Sequence, residues 1–252
     1  MTVLTTLSLR AATLGLCLAA VAAAGPAEAP NTLSQKERAS GWRLLWDGSS
    51  TRGWRAAKGR VFPASGWEIK DGVLSVVETG GAESRAGGDI VSEASFAAFE
   101  LAFEFRLTPG ANSGVKYYVD TELNKGEGSA IGLEFQLLDD ARHPDAKAGR
   151  DGNRTLGSLY DLIPAVGSKP TRPIGEWNAA RVVSDGRHVE HWLNGAKVLD
   201  YERGSEAFRT LVAASKYKVW PAFGERPSGP ILLQDHGNRV SFRSLKIREL
   251  AP

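Results

Sequence analysis

Cysteine is almost missing from the chain: its 252 residues include a single one, Cys17, and only four histidines. One cysteine makes no intrachain disulfide and no thiolate zinc site. Charge of one sign is missing as well, since 31 Lys and Arg face 29 Asp and Glu for a formal net charge of +2. That balance supplies no field for nucleic acid, and no such partner is expected. No apolar run reaches the ~20 residues of a membrane-spanning helix. There is no phosphate loop, no dinucleotide fingerprint, no HExxH and no GxSxG, so neither a redox nor a nucleotide cofactor is expected. What the chain has in quantity is 28 glycines and 7 tryptophans, the composition of a turn-rich β protein or of a sugar-stacking surface.

Residues 1–24 read as an export signal: Arg10 precedes an apolar run from Ala11 to Ala24, and Gly25-Pro26 follows. Ala22-Ala23-Ala24 offers the cleavage site, with Ala27-Glu28-Ala29 as a later one. Leu14-Gly15-Leu16-Cys17 resembles a lipoprotein box, but Leu16 is too large for the position before the cysteine. Cleavage removes Cys17, and the mature chain is expected in the periplasm or the medium, free of the membrane. Residues 25–40 form a polar leader with one helical turn after Asn31 or Ser34, and 41–250 form one domain.

Beyond the leader the pattern is that of strands. Phe99, Leu101, Phe103, Phe105 and Leu107 alternate with Glu100, Ala102, Glu104 and Arg106, a period of two that buries one face. Asp71-Gly72, Asp185-Gly186 and Asn194-Gly195 separate further strand-like runs as hairpin turns. Strands are expected at 42–47, 66–70, 73–78, 89–92, 99–107, 114–119, 131–138, 177–184, 188–193, 196–201, 230–236 and 239–249. One helix, Ser205–Ser215, is capped by Ser205. Many short strands and one helix imply an all-β sandwich of two antiparallel sheets, a jelly roll.

Three segments carry candidate chemistry. On a strand, Glu134 and Gln136 share one face while Phe135 and Leu137 take the other. Two carboxylates at that spacing would make a retaining glycosidase. Gln136 does not ionise, which leaves Asp139 as the other carboxylate, reached across a bulge. Gln234 and His236 share a face ahead of Gly237, where the histidine is suited to proton transfer and the glutamine to a substrate hydroxyl. His188 and His191 have opposite parity, which rules against a shared metal, so His191 is read as acting singly in a pocket. Lys116 and Tyr118 lie opposite Val115, Tyr117 and Val119. Trp54, Trp67, Trp177, Trp192, Trp220, Tyr117, Tyr118 and Tyr160 are either sugar platforms or core.

In order, Leu45-Trp46-Asp47-Gly48, Gly53-Trp54, Trp67-Glu68-Ile69-Lys70-Asp71-Gly72, Phe99-Glu100-Leu101, Asn112-Ser113-Gly114-Val115, Glu134 to Asp139, Trp177-Asn178, Leu193-Asn194-Gly195, Leu233 to Gly237 and Phe242-Arg243 resemble the 3-keto-disaccharide hydrolase family. The series spans residues 41–250. The resemblance implies a concanavalin-like jelly roll with a carbohydrate-binding face, acting on 3-keto-disaccharides or 3-keto-glycosides, in some members by elimination with a divalent metal. It departs from the family at Phe242-Arg243-Ser244 and Lys116-Tyr117-Tyr118, which bears on substrate choice. On this reading Glu134 and His236 are catalytic, one as base and the other as acid or metal ligand. Gln136, Asp139, Lys116, Tyr160, His191 and Gln234 bind substrate, and Glu134, Gln234 and His236 are the candidate metal ligands. Two other readings are a carbohydrate-binding module on the same fold and an ordinary two-carboxylate glycoside hydrolase.

Overall fold

The computed structural model describes residues 29–83 and 85–251, so the expected export signal and Cys17 lie outside the described residues. Ser34 caps α1 (Gln35–Ala39) by accepting from Glu37 N, and the Glu37 carboxylate accepts from Ser34 N in return, which closes a capping box. The strands run in chain order as β1 (Arg43–Leu44), β2 (Trp54–Ala56), β3 (Trp67–Lys70), β4 (Val73–Val76), β5 (Ile90–Phe96), β6 (Phe99–Leu107) and β7 (Asn112–Asp120). There follow β8 (Ile131–Leu138), β9 (Asn178–Ser184), β10 (His188–Leu193), β11 (Ala196–Glu202), helix α2 (Glu206–Ala213), β12 (Gly229–Leu233) and β13 (Val240–Glu249). Ser205 caps α2 by accepting from Phe208 N.

All pairings are antiparallel and form two sheets. The larger has the order β11-β10-β9-β6-β13-β4-β3, with β1 also on β13, and the smaller has the order β2-β5-β12-β7-β8. The fold is therefore the expected all-β sandwich. Its core lies between the sheets, where Phe99, Leu101, Phe103, Phe105 and Phe242 of the larger meet Val115, Tyr117, Leu133, Phe135 and Leu137 of the smaller. Burying each such side chain contributes about 1.5–3 kcal/mol.

Some boundaries differ from the sequence reading, each for a local reason. Residues 42–47 do not form one strand: Arg43 and Leu44 pair with β13, Leu45 N and Trp46 N then both donate to Leu245 O, and Trp46 turns inward, its Nε1 donating to Ser50 O. Asp71-Gly72 and Asn194-Gly195 are tight turns with both residues at positive φ. Asp185 instead opens a longer loop, its carboxylate accepting from Arg187 N and His188 N. In β7 the register slips between Tyr117 and Asp120, and Tyr118 takes φ 51°. That bulge turns Tyr118 into the core beside Tyr117, where its hydroxyl pairs with Ser184 Oγ, and sends Val119 to the outer side of the small sheet. Tyr118 therefore does not share a face with Lys116.

Candidate active site

The outer face of the small sheet carries the site. Along β7 and β8 the apolar residues face the core, while Asn112, Gly114 and Lys116 stand beside Glu134 and Gln136 on the other side, with Lys116 opposite Glu134 and Gly114 opposite Gln136. Five other segments wall this strip into a cleft of about 330 Å³. Its lining includes Glu83, Ser129, Tyr160, Lys216, Tyr217, Trp220, Gln234 and His236. Of the residues expected at the site, Lys116, Glu134, Gln136, Tyr160, Gln234 and His236 come together here.

Glu134 is the buried carboxylate of the cleft. A Cβ on Gly114 would lie 2.1 Å from its Oε1, so the absence of a side chain there is what lets the carboxylate lie flat across β7. Lys116 Nζ sits 3.6 Å from Glu134 Oε2, both side chains being almost fully buried. Lys116 also donates to Ser129 Oγ and Ala130 O, and Ser129 donates to the buried Asp89. Burial raises the pKa of Glu134, aided by Glu83 and Asp89, while Lys116 and Lys216 oppose it; the balance is upward. The amide of Gln136 is satisfied when its nitrogen donates to Ser113 O at 3.0 Å and Glu134 Oε1 at 3.2 Å. The reverse orientation has only a 3.3 Å contact to Asn112 Oδ1.

Tyr160 arrives on a segment that lies along the free edge of β8. Gly157 N donates to Gln136 O, Gln136 N to Ser158 O and Tyr160 N to Glu134 O. The Tyr160 hydroxyl donates to Asp145 at 2.8 Å, and burial beside Glu134 and Asp145 pushes its pKa up. Lys216 follows α2 on a short 3-10 turn, residues 216–219, capped by Ser215. Its ammonium lies 4.3 Å from the centre of the Tyr160 ring and 5.2 Å from that of Tyr217.

Gln234 and His236 do not share a strand face, because β12 ends at Leu233. Gln234 N still donates to Gly114 O, and the chain then turns at Gly237, φ +75°. The buried Asp235 carboxylate accepts from Gly87 N, Gly88 N and Gly237 N, clamping Gly87 and Gly88 to the turn that carries His236. Gln234 Oε1 and His236 Nδ1 are buried with no hydrogen-bond partner among the described residues, although Gln234 Nε2 donates to Glu83 at 3.3 Å.

Two expected pocket residues lie elsewhere. Asp139 accepts from Gly110 N, Ala141 N and Arg142, and these interactions outweigh its burial and lower its pKa; it lines a different depression beside Arg172 and Asn178. His191 is wholly buried between the sheets, bonded to Tyr117 Oη at 2.7 Å and Gly157 O at 2.9 Å, and burial lowers its pKa to about 4. Trp54 and Trp67 are core, Trp177 and Trp192 lie under arginines, and Trp220 alone of the tryptophans lines the cleft. Sequence reasoning missed Glu83, Lys216 and Tyr217, which come from a loop and a 3-10 turn without periodicity. Ser215, a capping residue directly before Lys216, was the only local signal.

This arrangement offers a buried carboxylate, two cations and, unpaired among the described residues, an amide oxygen and an imidazole nitrogen in one cleft. The model of the 3-keto-alpha-glucoside-1,2-lyase-like domain matches residues 41–248. A 3-keto-disaccharide hydrolase of Bacteroides thetaiotaomicron is 37% identical over 233 residues, 84% of this chain and 79% of that protein. Two crystal structures from Parabacteroides distasonis, both described as candidate glycosyl hydrolases, share the fold. One superposes with TM-score 0.76 at 29% identity, covering 88% of this chain and all of the other. The second superposes with TM-score 0.61 at 27% identity, covering 83% and 99%. A match that runs from the first strand to the last, on a chain whose cleft is floored by the motif segments of β7, β8 and Gln234 to His236, places the protein in the 3-keto-alpha-glucoside-1,2-lyase-like family.

Proposed function

We propose that this cleft cleaves the glycosidic bond of 3-keto-disaccharides and related 3-keto-glycosides by elimination, with hydration following. The family and the hydrolase relative supply the substrate class. The observation that supports the mechanism is the setting of Glu134: a buried carboxylate with an amide, Gln136, beside it and Lys116 3.6 Å away. A double-displacement glycosidase needs a second carboxylate about 5–5.5 Å from the first. Asp139 is turned away from the cleft and engaged by Arg142, so it does not serve.

A ketone at C3 makes the C2 hydrogen acidic, because the carbanion is delocalised onto the C3 oxygen. Glu134 removes that proton, its raised pKa making it a stronger base once ionised. Lys116, buried and already held by Ser129 and Ala130, places fixed positive charge beside the developing enolate without reorganising. Loss of the C1 oxygen then gives the 1,2-unsaturated ketone, and water addition completes net hydrolysis.

The resemblance also implies a divalent metal, and the cleft accommodates one. Gln234 Oε1 and His236 Nδ1 are one oxygen and one nitrogen donor, buried and unpaired, which suits such a cation. No group of three His, Cys, Asp or Glu placed for a metal exists among the described residues, so Gln234 and His236 would supply two donors and water or substrate the others. Gln234 and His236 would hold the ion, and its chemistry would be Lewis-acid polarisation of the C3 carbonyl.

The test is release of nitrophenol from a nitrophenyl 3-keto-glucoside and from its unoxidised parent, with and without a chelator. Cleavage of the keto compound alone is expected, slowed at least tenfold by the chelator and restored by a divalent cation. Cleavage of both compounds would return the glycosidase reading. Binding without cleavage of either would leave a carbohydrate-binding module. The export signal is proposed to deliver the chain to the periplasm or medium; mass spectrometry of the exported protein is expected to find Gly25 as its first residue.

A further inference from the structure

Resting on that reading, we infer that Lys216 is the general acid that protonates the departing C1 oxygen. Elimination leaves charge in two places, on the enolate and on the aglycone oxygen, and the second needs a proton donor in the cleft. His236 would hold the metal ion, and two further proton donors of the cleft are already committed. Lys116 donates to Ser129 and Ala130 and faces Glu134, while the Tyr160 hydroxyl donates to Asp145. Lys216 is different. Its ammonium rests on two aromatic rings and, among the described residues, donates to no oxygen, so its protons are available to whatever enters.

Its setting also favours release of a proton. Desolvation over the tyrosines lowers the Lys216 pKa, and the positive charges of Lys116 and Arg154 add to this, against Glu134 and Asp161. Asp161 accepts from Lys216 N at 2.9 Å, which fixes the backbone of the turn and leaves the side chain to reach the cleft. Trp220, at the end of the same turn, lines the cleft beside it, so the cation and an aromatic plate for a leaving sugar come from one segment.

The protons balance. Glu134 takes the C2 hydrogen, and the C–H electron pair becomes the enolate. The enolate collapses to C1=C2, the C1–O pair leaves with the aglycone, and a Lys216 N–H proton goes to that oxygen. In the hydration step neutral Lys216 takes a proton from the water that attacks C1, and protonated Glu134 returns its proton to C2. Both groups regain their starting states.

The test compares 3-keto-glucosides with a nitrophenyl and a methyl leaving group, turned over by the wild type and by Lys216→Met and Lys216→Arg. General acids contribute ~10²–10⁴-fold, whereas nitrophenolate leaves without a proton. Lys216→Met is therefore expected to lose at least ~100-fold on the methyl compound and less than ~5-fold on the nitrophenyl one. Lys216→Arg keeps the charge but holds its proton, so it should match Lys216→Met. Equal losses on the two substrates, or rescue by arginine, would overturn the assignment while leaving the keto-sugar reading intact. A wild type that cleaves neither substrate would sink both.

Discussion

At the scale of single residues, parity was the legible part. Glu134 and Gln136 share a face because strand side chains alternate, and that much follows from the sequence. His191 shares its face with the apolar Val189 and Leu193, yet the sequence reading put it in the substrate pocket, and the structure puts it in the core. Lys216 was not legible, because the residues that bring it to Glu134 are more than 50 positions from Tyr160 and follow no repeat. Gly114 gives a sharp residue-scale test. Gly114→Ala puts a methyl where Glu134 Oε1 lies, so the carboxylate must move. Turnover is expected to fall at least tenfold, with binding of a non-reacting analogue changed far less; steady-state kinetics and calorimetry would check it. The pH profile is a second test. Glu134 acts as base only when ionised, and its pKa is raised, so the rate should climb with pH through a value above the ~4.3 of a free glutamate. An acid limb at or below that value would contradict the assignment.

At the scale of elements, amphipathic segments were read well and irregular ones poorly. β6, β8 and α2 sit where their periodicity placed them, since each buries one face against the core. β12 stops at Leu233, before the expected 236, because the Asp235 side chain turns in to hold Gly87, Gly88 and Gly237. The bulge at Tyr118 breaks the alternation of β7, and nothing local announces it. The clamp at Asp235 has its own consequence. In Gly237→Ala the new methyl would meet Ala82 N at 2.4 Å, at a residue already at φ +75°. Strain and clash together are expected to cost about 1–3 kcal/mol of stability. Activity should fall as well, since the same turn presents His236. Thermal unfolding alongside kinetics would show whether the two losses travel together.

At the scale of the whole molecule, the sandwich was legible because a dozen or so short strands leave few other ways to bury their apolar faces. The strand order was not, because β6 and β13 pair across most of the chain and no short-range pattern reports such partners. Global stability carries the signature of the buried His191. Its folded pKa is lowered to about 4, whereas an unfolded chain titrates near 6.5, so the unfolded state binds the extra proton first as pH falls. The contribution of His191 is therefore full above pH ~6.5 and is lost on the way down to ~4, with about 2 kcal/mol of it gone between pH 7 and 5. Urea unfolding at those two pH values should show that loss, and His191→Phe should flatten it. The distribution of indoles matters in another way. Trp46, Trp54 and Trp67 are sealed in the core, Trp42, Trp177 and Trp192 lie against basic side chains, and Trp220 stands in the cleft. The molecule thus carries a built-in optical probe: a sugar entering the cleft changes the surroundings of one emitter among seven. Occupancy can be followed by intrinsic fluorescence without any label, and Trp220→Phe would silence the signal.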